Sequence, residues 1–297
     1  MDINKVLVAG SGVLGSQIAF QTAFYGFKVS VYDINEEALE KAKERLTGLK
    51  ANYQEDLGAT QEAVDTAYDR LSLYTDLAEA VKDVDLVIEA VPEVIDIKKA
   101  FYENLSKVAP QNTIFASNSS TMIPSQLVEF TGRPEKFLHL HFANRIWVNN
   151  TAEIMKHEGT DPKVFEEVIE FAKAINMIAL PIHKEQPGYI LNSLLVPFLD
   201  AAQNLVANGI ADPETVDKTW MAGMGVNRGP FGVLDIIGLN TPYNIALEKA
   251  KSGNEQKAKI AEYFKTELID KGRLGIQNGK GFYDYPNPKY EDPKFLK

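Results

Sequence analysis

The stretch KVLVAGSGVLGSQIAF, from Lys5 to Phe20, decides the fold of the first half of the chain. A β-branched run at its start leads directly into the glycine pattern GSGVLG, and an apolar-periodic stretch from Val13 to Tyr25 follows. A second β-branched run, KVSVYD, occupies Lys28–Asp33. Strand, glycine turn, helix and strand in this order predict a βαβ unit.

The glycine turn predicts a dinucleotide site. Gly10 permits the tight turn, Gly12 lets the backbone approach a pyrophosphate, and Gly15 lets helix and strand pack closely. Val13 and Leu14 would open the helix, whose N-terminal amides would face the phosphates. The alternative is a glycine turn that binds no ligand.

Asp33 indicates which dinucleotide binds. It ends the second strand-like run eighteen residues after Gly15, where a carboxylate can accept both ribose hydroxyls. It would repel a 2′-phosphate, and the segment 34–37 that follows offers no arginine or lysine to pair one. We therefore expect NAD rather than NADP. The alternative is that Asp33 only caps a helix.

Composition bounds the class of protein. The 297 residues, 45% of them hydrophobic, suffice for one large or two ordinary domains. A net charge of −10 argues against nucleic-acid or anionic-membrane binding. The chain has no cysteine, which excludes disulfides and fits the cytoplasm, where we expect the protein. We expect no leader, and the most apolar run, YILNSLLVPFL at 189–199, is expected from its length to be too short to span a bilayer.

Strands and helical stretches alternate along the first 185 residues. Strand-like runs recur at 84–91, 113–118 and 137–142, and this alternation predicts a parallel sheet with helices on both faces. After Gln186-Pro187-Gly188 the sequence is typical of helices alone. We predict an α/β fold, with a Rossmann-type NAD-binding domain over 1–185 and a smaller all-helical C-terminal domain over 186–297.

Two histidines on the strand FLHLHF are candidates for a catalytic base. His139 and His141 share one face of a regular strand. Oxidation of an alcohol needs a base for the hydroxyl proton, and histidine suits that task near neutral pH. Glu153, in the following run AEIMKH, would return on a neighbouring strand and orient the imidazole. The alternative is a surface histidine and a strand-end glutamate.

Seven segments, in order and over nearly the whole chain, resemble the 3-hydroxyacyl-CoA dehydrogenase family. They are VAGSGVLGSQIA, DLVIEAVPE, ASNSS, LHFANR with a glutamate twelve residues past its histidine, PGYILNSLLVPFL, GPFGVLDIIGL and GKGFYDY. The resemblance implies that His141 is the general base and Glu153 its orienting carboxylate. It also implies a homodimer formed through the helical domain, a small-molecule substrate and no metal site.

The resemblance assigns further residues by position. Ser120 and Asn192 would reach the substrate, Glu93 and Lys98 would lie near the nicotinamide ribose, and Asn118 would face the same cleft. Ser120 alternatively caps a helix. Asn192 lies in an apolar helical run, where its amide needs a partner that a neighbouring backbone group could also supply. The histidines without a role in the family pattern are expected to be structural: His139, His157 and His183.

The chain departs from the family pattern after His141. Arg145 replaces a proline of the usual HFFNP or HPFNP segment and would add a guanidinium near the acyl end, where a free carboxylate could pair with it. Trp147 could shorten the pocket. A CoA moiety would need cations, which the predicted second helix supplies, unless these only form Glu–Lys pairs on a solvated face: Lys41, Lys43, Arg45 and Lys50.

The predicted reaction is the reversible oxidation of a short (S)-3-hydroxyacyl-CoA to the 3-oxoacyl-CoA with NAD. One alternative is a dehydrogenase for a free 3-hydroxy acid, such as a sugar acid or a carnitine-like compound. Another, from a different class, is a catalytically silent NAD(H)-binding sensor or structural protein. Acyl chain length, physiological direction and pathway are not encoded in any motif of the sequence.

Overall fold

The computed structural model describes residues 3–297. The chain divides into one compact unit that ends at Leu191 and a second from Asn192 to Lys297. The predicted domain boundary after residue 185 lies in the connection ahead of α7 (Tyr189–Ala207), whereas the compact units divide within the first turn of that helix.

Within residues 3–297 the first unit contains an eight-stranded sheet with the strand order β3-β2-β1-β4-β5-β6-β7-β8. The strands are β1 (Lys5–Ala9), β2 (Lys28–Tyr32), β3 (Leu71–Tyr74), β4 (Leu86–Glu89), β5 (Ile114–Ser117), β6 (Phe137–Phe142), β7 (Thr151–Met155) and β8 (Ile178–Ile182). This is the predicted Rossmann-type sheet.

One pair of strands departs from the predicted parallel arrangement. β6 and β7 are antiparallel, while their neighbours on either side pair in parallel. The prediction of a wholly parallel sheet is therefore wrong at this point. A short connection from β6 to β7 allows only an antiparallel return. The register of the pair sets His141 directly opposite Glu153.

Helices cover the sheet. They are α1 (Val13–Phe24), α2 (Glu36–Leu57), α3 (Gln61–Asp69), α4 (Leu77–Ala80), α5 (Ile95–Val108) and α6 (Pro162–Ala174). Asn35 caps α2 by accepting a hydrogen bond from the Ala38 amide. α3 ends at Asp69, two residues before Leu71 begins β3. The short strands β3 and β8 were not predicted.

Alternate residues of the central strands enter two apolar clusters. Val6 and Val8 of β1 belong to one cluster, and Leu7 and Ala9 belong to the other. Successive side chains of a strand point to opposite faces, so the sheet is buried on both faces. Burial of both faces leaves the carboxyl ends of the strands as the place for ligand groups.

The second unit is helical, with a core that includes Phe231, Leu234 and Phe264. After the start of α7 it contains α8 (Pro213–Met224), α9 (Pro230–Ile237), α10 (Asn240–Lys251) and α11 (Glu255–Glu267). Two buried carboxylates tie its parts together. Asp217 accepts hydrogen bonds from the Phe231 and Gly232 amides and from the Tyr283 hydroxyl. Asp235 accepts them from the Phe282 and Tyr283 amides and from the Tyr285 hydroxyl.

The apolar run at 189–199 is the first part of a longer helix than the sequence indicated. In the described part of the chain, α7 is the one helix that is long and apolar enough to cross a membrane, with 22% of its apolar window buried. The expectation that this run is too short for a bilayer is therefore wrong. Length and composition alone are weak evidence, because a core helix passes the same test, so the absence of a membrane partner stays a prediction.

Candidate active site

The glycine turn has the geometry of a dinucleotide cradle. Gly10 has a φ of +96°, and a Cβ on it would collide with the backbone of Ala90. A Cβ on Gly15 would collide with the Gly10 carbonyl oxygen, whereas one on Gly12 would enter open space. Gly12 is the N-cap of α1 and offers no side-chain hydrogen bond to the first amides of that helix. The turn therefore leaves room and free donors for a pyrophosphate beside Val13 and Leu14.

Asp33 is held in place beside this turn. Its Oδ2 accepts hydrogen bonds from the Ser11 amide at 2.8 Å and the Ser11 hydroxyl at 2.6 Å, and its Oδ1 accepts one from the Ile34 amide at 2.8 Å. An adjacent pocket begins at Gly10 and Gly12 and is largely apolar; its lining includes Tyr32, Ile34, Leu77, Val91, Ile97 and Phe101. This arrangement fits an adenosine, with the base in the apolar pocket and the ribose at Asp33.

Two cations line the ribose side of the same turn. Lys41 and Arg45 of α2 share a small pocket with Ser11, Gly12 and Asp33, and an Arg45 Nη1 donates to the Ser11 carbonyl at 3.1 Å. The sequence argument considered only the segment 34–37 directly after Asp33, and these two cations lie farther along α2. A helix brings residues one and two turns farther along onto the same face.

The proton-transfer residues form a line across three elements. The Ser120 hydroxyl lies 3.0 Å from His141 Nε2, and His141 Nδ1 lies 3.2 Å from Glu153 Oε2. The His141 and Glu153 side chains are only 11% and 4% exposed, so bulk water screens their interaction little. Three of the four predicted catalytic residues are therefore brought together by the strands β6 and β7 and by the loop that follows β5.

The second oxygen of Glu153 is also satisfied. Its Oε1 accepts the amides of Ile190 at 2.9 Å and Leu191 at 3.0 Å, from the first turn of α7. Burial acts to raise the pKa of Glu153, but hydrogen bonds from His141 and these amides outweigh it and lower the pKa. A charged carboxylate only accepts hydrogen bonds, so His141 Nδ1 carries the proton and Nε2 is free to accept one.

Glu93 orders the loop that carries Ser120. Its Oε1 accepts hydrogen bonds from the Ser120 and Thr121 amides at 3.0 Å each and from the Ser119 hydroxyl at 2.5 Å. Burial alone would raise the pKa of Glu93, but these bonds and the nearby Lys98 charge lower it to about 2. Glu93 is therefore an ionised anchor for the loop.

Lys98 lies behind Glu93 and is 1% exposed. Its Nζ contacts Glu89 Oε1 at 2.6 Å and Glu93 Oε2 at 3.1 Å. Glu89 is fully buried and also accepts the Ser117 hydroxyl and the Val91 amide. The predicted positions of Glu93 and Lys98 beside the nicotinamide ribose stay predictions.

The other two predicted site residues, Asn118 and Asn192, lie in different compact units. Asn118 is buried at the end of β5, and its Oδ1 accepts the Phe142 amide at 2.9 Å, so it fixes the chain beside His141. Asn192 begins the second compact unit and is half-buried on α7, directly after Leu191, whose amide binds Glu153. The predicted contact of Asn192 with substrate stays a prediction.

The loop after His141 is held against the end of α2 by two contacts with Asp56. An Arg145 Nη2 pairs with Asp56 Oδ2 at 2.9 Å, and Trp147 Nε1 donates to the same oxygen at 2.7 Å. Trp147 is 5% exposed and packs against Tyr53 in the core. Arg145 is thus paired with Asp56 and Trp147 is largely buried, and the expectations of a guanidinium near the acyl end and of a shortened pocket stay predictions.

The proposed CoA patch on α2 is also not supported. Lys41 and Lys43 pair with Glu37 and Glu40 on the same helix. Lys50 pairs with Asp65 of α3 and lies over the Tyr68 ring. The alternative, a solvated helix face with paired charges, describes these three lysines.

Sequence reasoning missed three residues of the site. Glu89 is the one charged residue of the apolar strand β4, and that position was a usable signal. Gln17 of α1 accepts the Arg145 amide at 2.8 Å, and as a polar residue in an apolar helix it also gave a signal. Tyr189 stacks on the His141 ring, and no local pattern indicates that contact.

Histidine and acidic residues do not converge on a metal position. Over residues 3–297, no group of three or more histidine, aspartate or glutamate side chains could hold a metal ion. The arrangement around His141 can hold and move a proton, and the glycine turn can hold a dinucleotide. Together these are the parts of a hydride-transfer enzyme.

Two family models match the chain. One, described as "3-hydroxyacyl-CoA dehydrogenase, NAD binding domain", matches residues 5–186. The other, described as "3-hydroxyacyl-CoA dehydrogenase, C-terminal domain", matches residues 188–285.

Individual proteins are similar over nearly the full length. The "Probable 3-hydroxybutyryl-CoA dehydrogenase" of Bacillus subtilis is 32% identical over 96% of this chain and 98% of its own. The "Hydroxyacyl-coenzyme A dehydrogenase, mitochondrial" of Homo sapiens is 33% identical over 95% and 91%. A solved structure described as "Substrate-directed dual catalysis of dicarbonyl compounds by diketoreductase" is 54% identical, with a TM-score of 0.92 and coverage of 96% and 100%.

Proposed function

The chain belongs to the 3-hydroxyacyl-CoA dehydrogenase family, and we propose that it interconverts a short-chain (S)-3-hydroxyacyl-CoA and the 3-oxoacyl-CoA, with NAD as the cofactor. The observation that carries the proposal is the line from Ser120 through His141 to Glu153. It leaves an unprotonated imidazole nitrogen beside a serine hydroxyl, which is what removal of a proton from an alcohol needs.

NAD fits the residues of the first unit. The crowding around Gly10 and Gly15, the open space at Gly12 and the oriented carboxylate of Asp33 match a pyrophosphate and an adenosine ribose. When bound, NAD accepts the hydride of the hydroxyl-bearing carbon.

The residues of the chain handle the proton that accompanies the hydride. His141 Nε2 takes the proton of the substrate hydroxyl as the C=O bond forms, and in the reverse direction it returns that proton. Glu153 holds Nδ1–H and stabilises the imidazolium that results. The Ser120 hydroxyl, 3.0 Å from Nε2, would bind the substrate oxygen and keep it beside the base.

A second candidate is the reduction of a free dicarbonyl compound. The similar solved structure, at 54% identity, is described as a diketoreductase acting on dicarbonyl compounds. The paired state of Lys41, Lys43 and Lys50 also favours it, because an anionic CoA would gain little from them. The chemistry of the reacting carbon is the same in both candidates, so the same three residues would serve either one.

One substrate panel tests the proposal. NADH oxidation is measured with acetoacetyl-CoA, longer 3-oxoacyl-CoAs, free acetoacetate and an uncharged 1,3-diketone. We expect acetoacetyl-CoA to have the highest kcat/KM. A higher value for the free diketone would replace the first candidate by the second. NADH binding by fluorescence titration without turnover on any compound would support a silent NAD(H)-binding protein.

Homodimerisation is a further part of the proposal. The second unit exposes large apolar side chains, among them Leu194 at 68%, Ile210 at 71% and Met224 at 59%, and such surfaces mark interaction sites. We expect a dimer by light scattering. Leu194→Glu should yield monomer, while Lys251→Glu, on an exposed polar position, should not. A cytoplasmic location stays a prediction.

A further inference from the structure

Tyr189 has a costly conformation at the start of α7. It is fully buried, and its φ of +57° lies in the left-handed region that bulky side chains rarely adopt. Such a conformation persists only where surrounding contacts fix it, and these cases cluster at functional sites. The ring of Tyr189 contacts His141, and its hydroxyl contacts the loop that carries Ser120.

The ring of Tyr189 stacks on the imidazole of His141. The two ring centroids are 4.4 Å apart and the planes differ by 19°. A flat ring pressed on one face limits rotation of the imidazole about its χ2 torsion. The plane that remains is the one in which Nδ1 meets Glu153 and Nε2 meets Ser120.

The hydroxyl of Tyr189 reaches the loop that carries Ser120. It donates to the Ser119 carbonyl oxygen at 2.5 Å and lies 3.0 Å from His139 Nδ1. Because its single proton is directed at Ser119, His139 Nδ1 must donate to it. Burial, and then the Lys98 charge, lower the pKa of His139 to about 3, so this imidazole is neutral and its Nδ1 carries the proton.

The residues that follow Tyr189 complete the arrangement. The amides of Ile190 and Leu191 hold Glu153 Oε1, so the first turn of α7 contacts the carboxylate while Tyr189 contacts the base. One backbone conformation therefore places a support on each side of the His141–Glu153 pair. A different φ at Tyr189 would move both supports together.

We propose that Tyr189 is a positioning residue for proton transfer. Its ring fixes the plane of the His141 imidazole, and its hydroxyl, directed by His139, fixes the Ser119–Ser120 peptide. The catalytic consequence rests on the proposed function, because it assumes that His141 exchanges the proton of the substrate. The placement of the ring does not depend on that assumption.

Two substitutions separate the ring from the hydroxyl. Tyr189→Leu removes the ring, and we expect kcat to fall about 10- to 100-fold, the scale of a catalytic group misplaced by about 1 Å. The Kd of NADH should stay within about threefold, because the substitution leaves the residues of the glycine turn unchanged, and KM should change less than kcat. Tyr189→Phe keeps the ring and should recover most of the lost kcat, with a residual loss of about fivefold for the missing hydrogen bond to Ser119.

Matched controls report the cost of altering a buried aromatic residue in the same unit. Phe171→Leu truncates a fully buried ring of α6 that packs on Phe27, and Tyr53→Phe removes a buried hydroxyl that donates to Gln21. Both should lower Tm without a selective loss of kcat. Tm measured for all four variants separates loss of folding from loss of positioning.

An NMR signature tests the positioning without any turnover. The ring protons of His141 should be shifted upfield by the stacked Tyr189 ring in the wild type and in Tyr189→Phe, and this shift should disappear in Tyr189→Leu. If no panel substrate is turned over by the wild type, the proposed function fails, yet this shift still tests the placement. An unshifted His141 in the wild type would overturn the inference. So would a Tyr189→Leu enzyme with kcat within twofold of the wild type.

Discussion

The two compact units bury carboxylates in opposite ways. In the first unit, Glu153 and Glu93 face His141 and Lys98, and the pKa of each carboxyl is lowered. In the second unit, the hydrogen-bond donors to Asp217 are two amides and a tyrosine hydroxyl, and burial raises its pKa to about 6. Glu93 has the Lys98 cation beside it and Glu153 accepts hydrogen bonds from His141 and two amides, so both carboxylates stay charged. At Asp217, burial outweighs the three uncharged donors, and the carboxyl ties chain segments together.

The largest effect should follow removal of the base that Glu153 orients. His141→Gln should lower kcat by about 10³-fold or more and leave the Kd of NADH unchanged, because only proton transfer is lost. Adding Glu153→Gln should cost little more, since the two residues act as one unit. His183→Gln, at an exposed position, is the control. A parallel loss of NADH affinity in His141→Gln would instead indicate a structural histidine.

The next largest effect should follow removal of the buried Lys98 ammonium. Lys98→Met leaves Glu89 buried without its ion pair, which should lower the free energy of unfolding by about 3–5 kcal/mol. Lys107→Met, at an exposed position on the same helix, should change it by less than about 0.5 kcal/mol. Urea denaturation of the wild type, Lys98→Met and Lys107→Met measures both changes in the free energy of unfolding. Equal stability of Lys98→Met and the wild type would remove the contrast between the units.

The two units should respond to pH with opposite signs. The raised pKa of Asp217 means that its protonated form favours folding, so its contribution is present below pH 3.8 and is lost as the pH rises towards 6, by at most about 3 kcal/mol. Asp217→Asn should abolish this dependence, whatever its absolute stability. The lowered pKa of Glu93 stabilises the fold above pH 4.5, and this contribution is lost as the pH falls towards 2. Hydrogen exchange measured separately for each unit between pH 3 and 7 gives the sign of the pH dependence of stability in each. The same sign in both units would contradict the prediction.

The smallest effect concerns a carboxylate at the surface of the first unit. NAD should bind at least about tenfold tighter than NADP, a gap of about 1.4 kcal/mol from repulsion at Asp33. Asp33→Ala should narrow this difference in affinity both by weakening NAD binding and by letting Arg45 attract the 2′-phosphate. Asp33→Ala/Arg45→Gln should lose the second part. Fluorescence titrations with NADH and NADPH measure these affinities. Equal affinities in the wild type would contradict the assignment of Asp33.

The sequence predicts those features that depend on residues close together in the chain. The glycine turn, Asp33 and the strands flanking α1 follow from one short motif and from the alternation of apolar residues. Ser120, His141 and Glu153 were assigned through the family resemblance, and the β6–β7 register then supports their pairing. Ser120 follows β5 and His141 lies near the end of β6, at the edge of the sheet where open α/β folds bind ligands.

Contacts between distant segments could not be predicted. The Arg145 guanidinium and the Trp147 indole meet Asp56 because the β6–β7 loop packs on the end of α2, nearly ninety residues earlier. Arg45 reaches the glycine turn through the length and direction of α2. The strands β3 and β8 lie at the two edges of the sheet and were not predicted. Packing decides such contacts, and no local pattern records it.

The central claim is that the charged carboxylate of Glu153 orients His141 as a base. Identifying the tautomer of His141 tests this claim most directly. The ¹⁵N chemical shifts of the His141 ring can be measured at alkaline pH, where imidazole is neutral. We expect a protonated Nδ1 and an unprotonated Nε2 in the wild type, and a mixture of tautomers in Glu153→Gln. A protonated Nε2 in the wild type, unchanged by Glu153→Gln, would contradict the account.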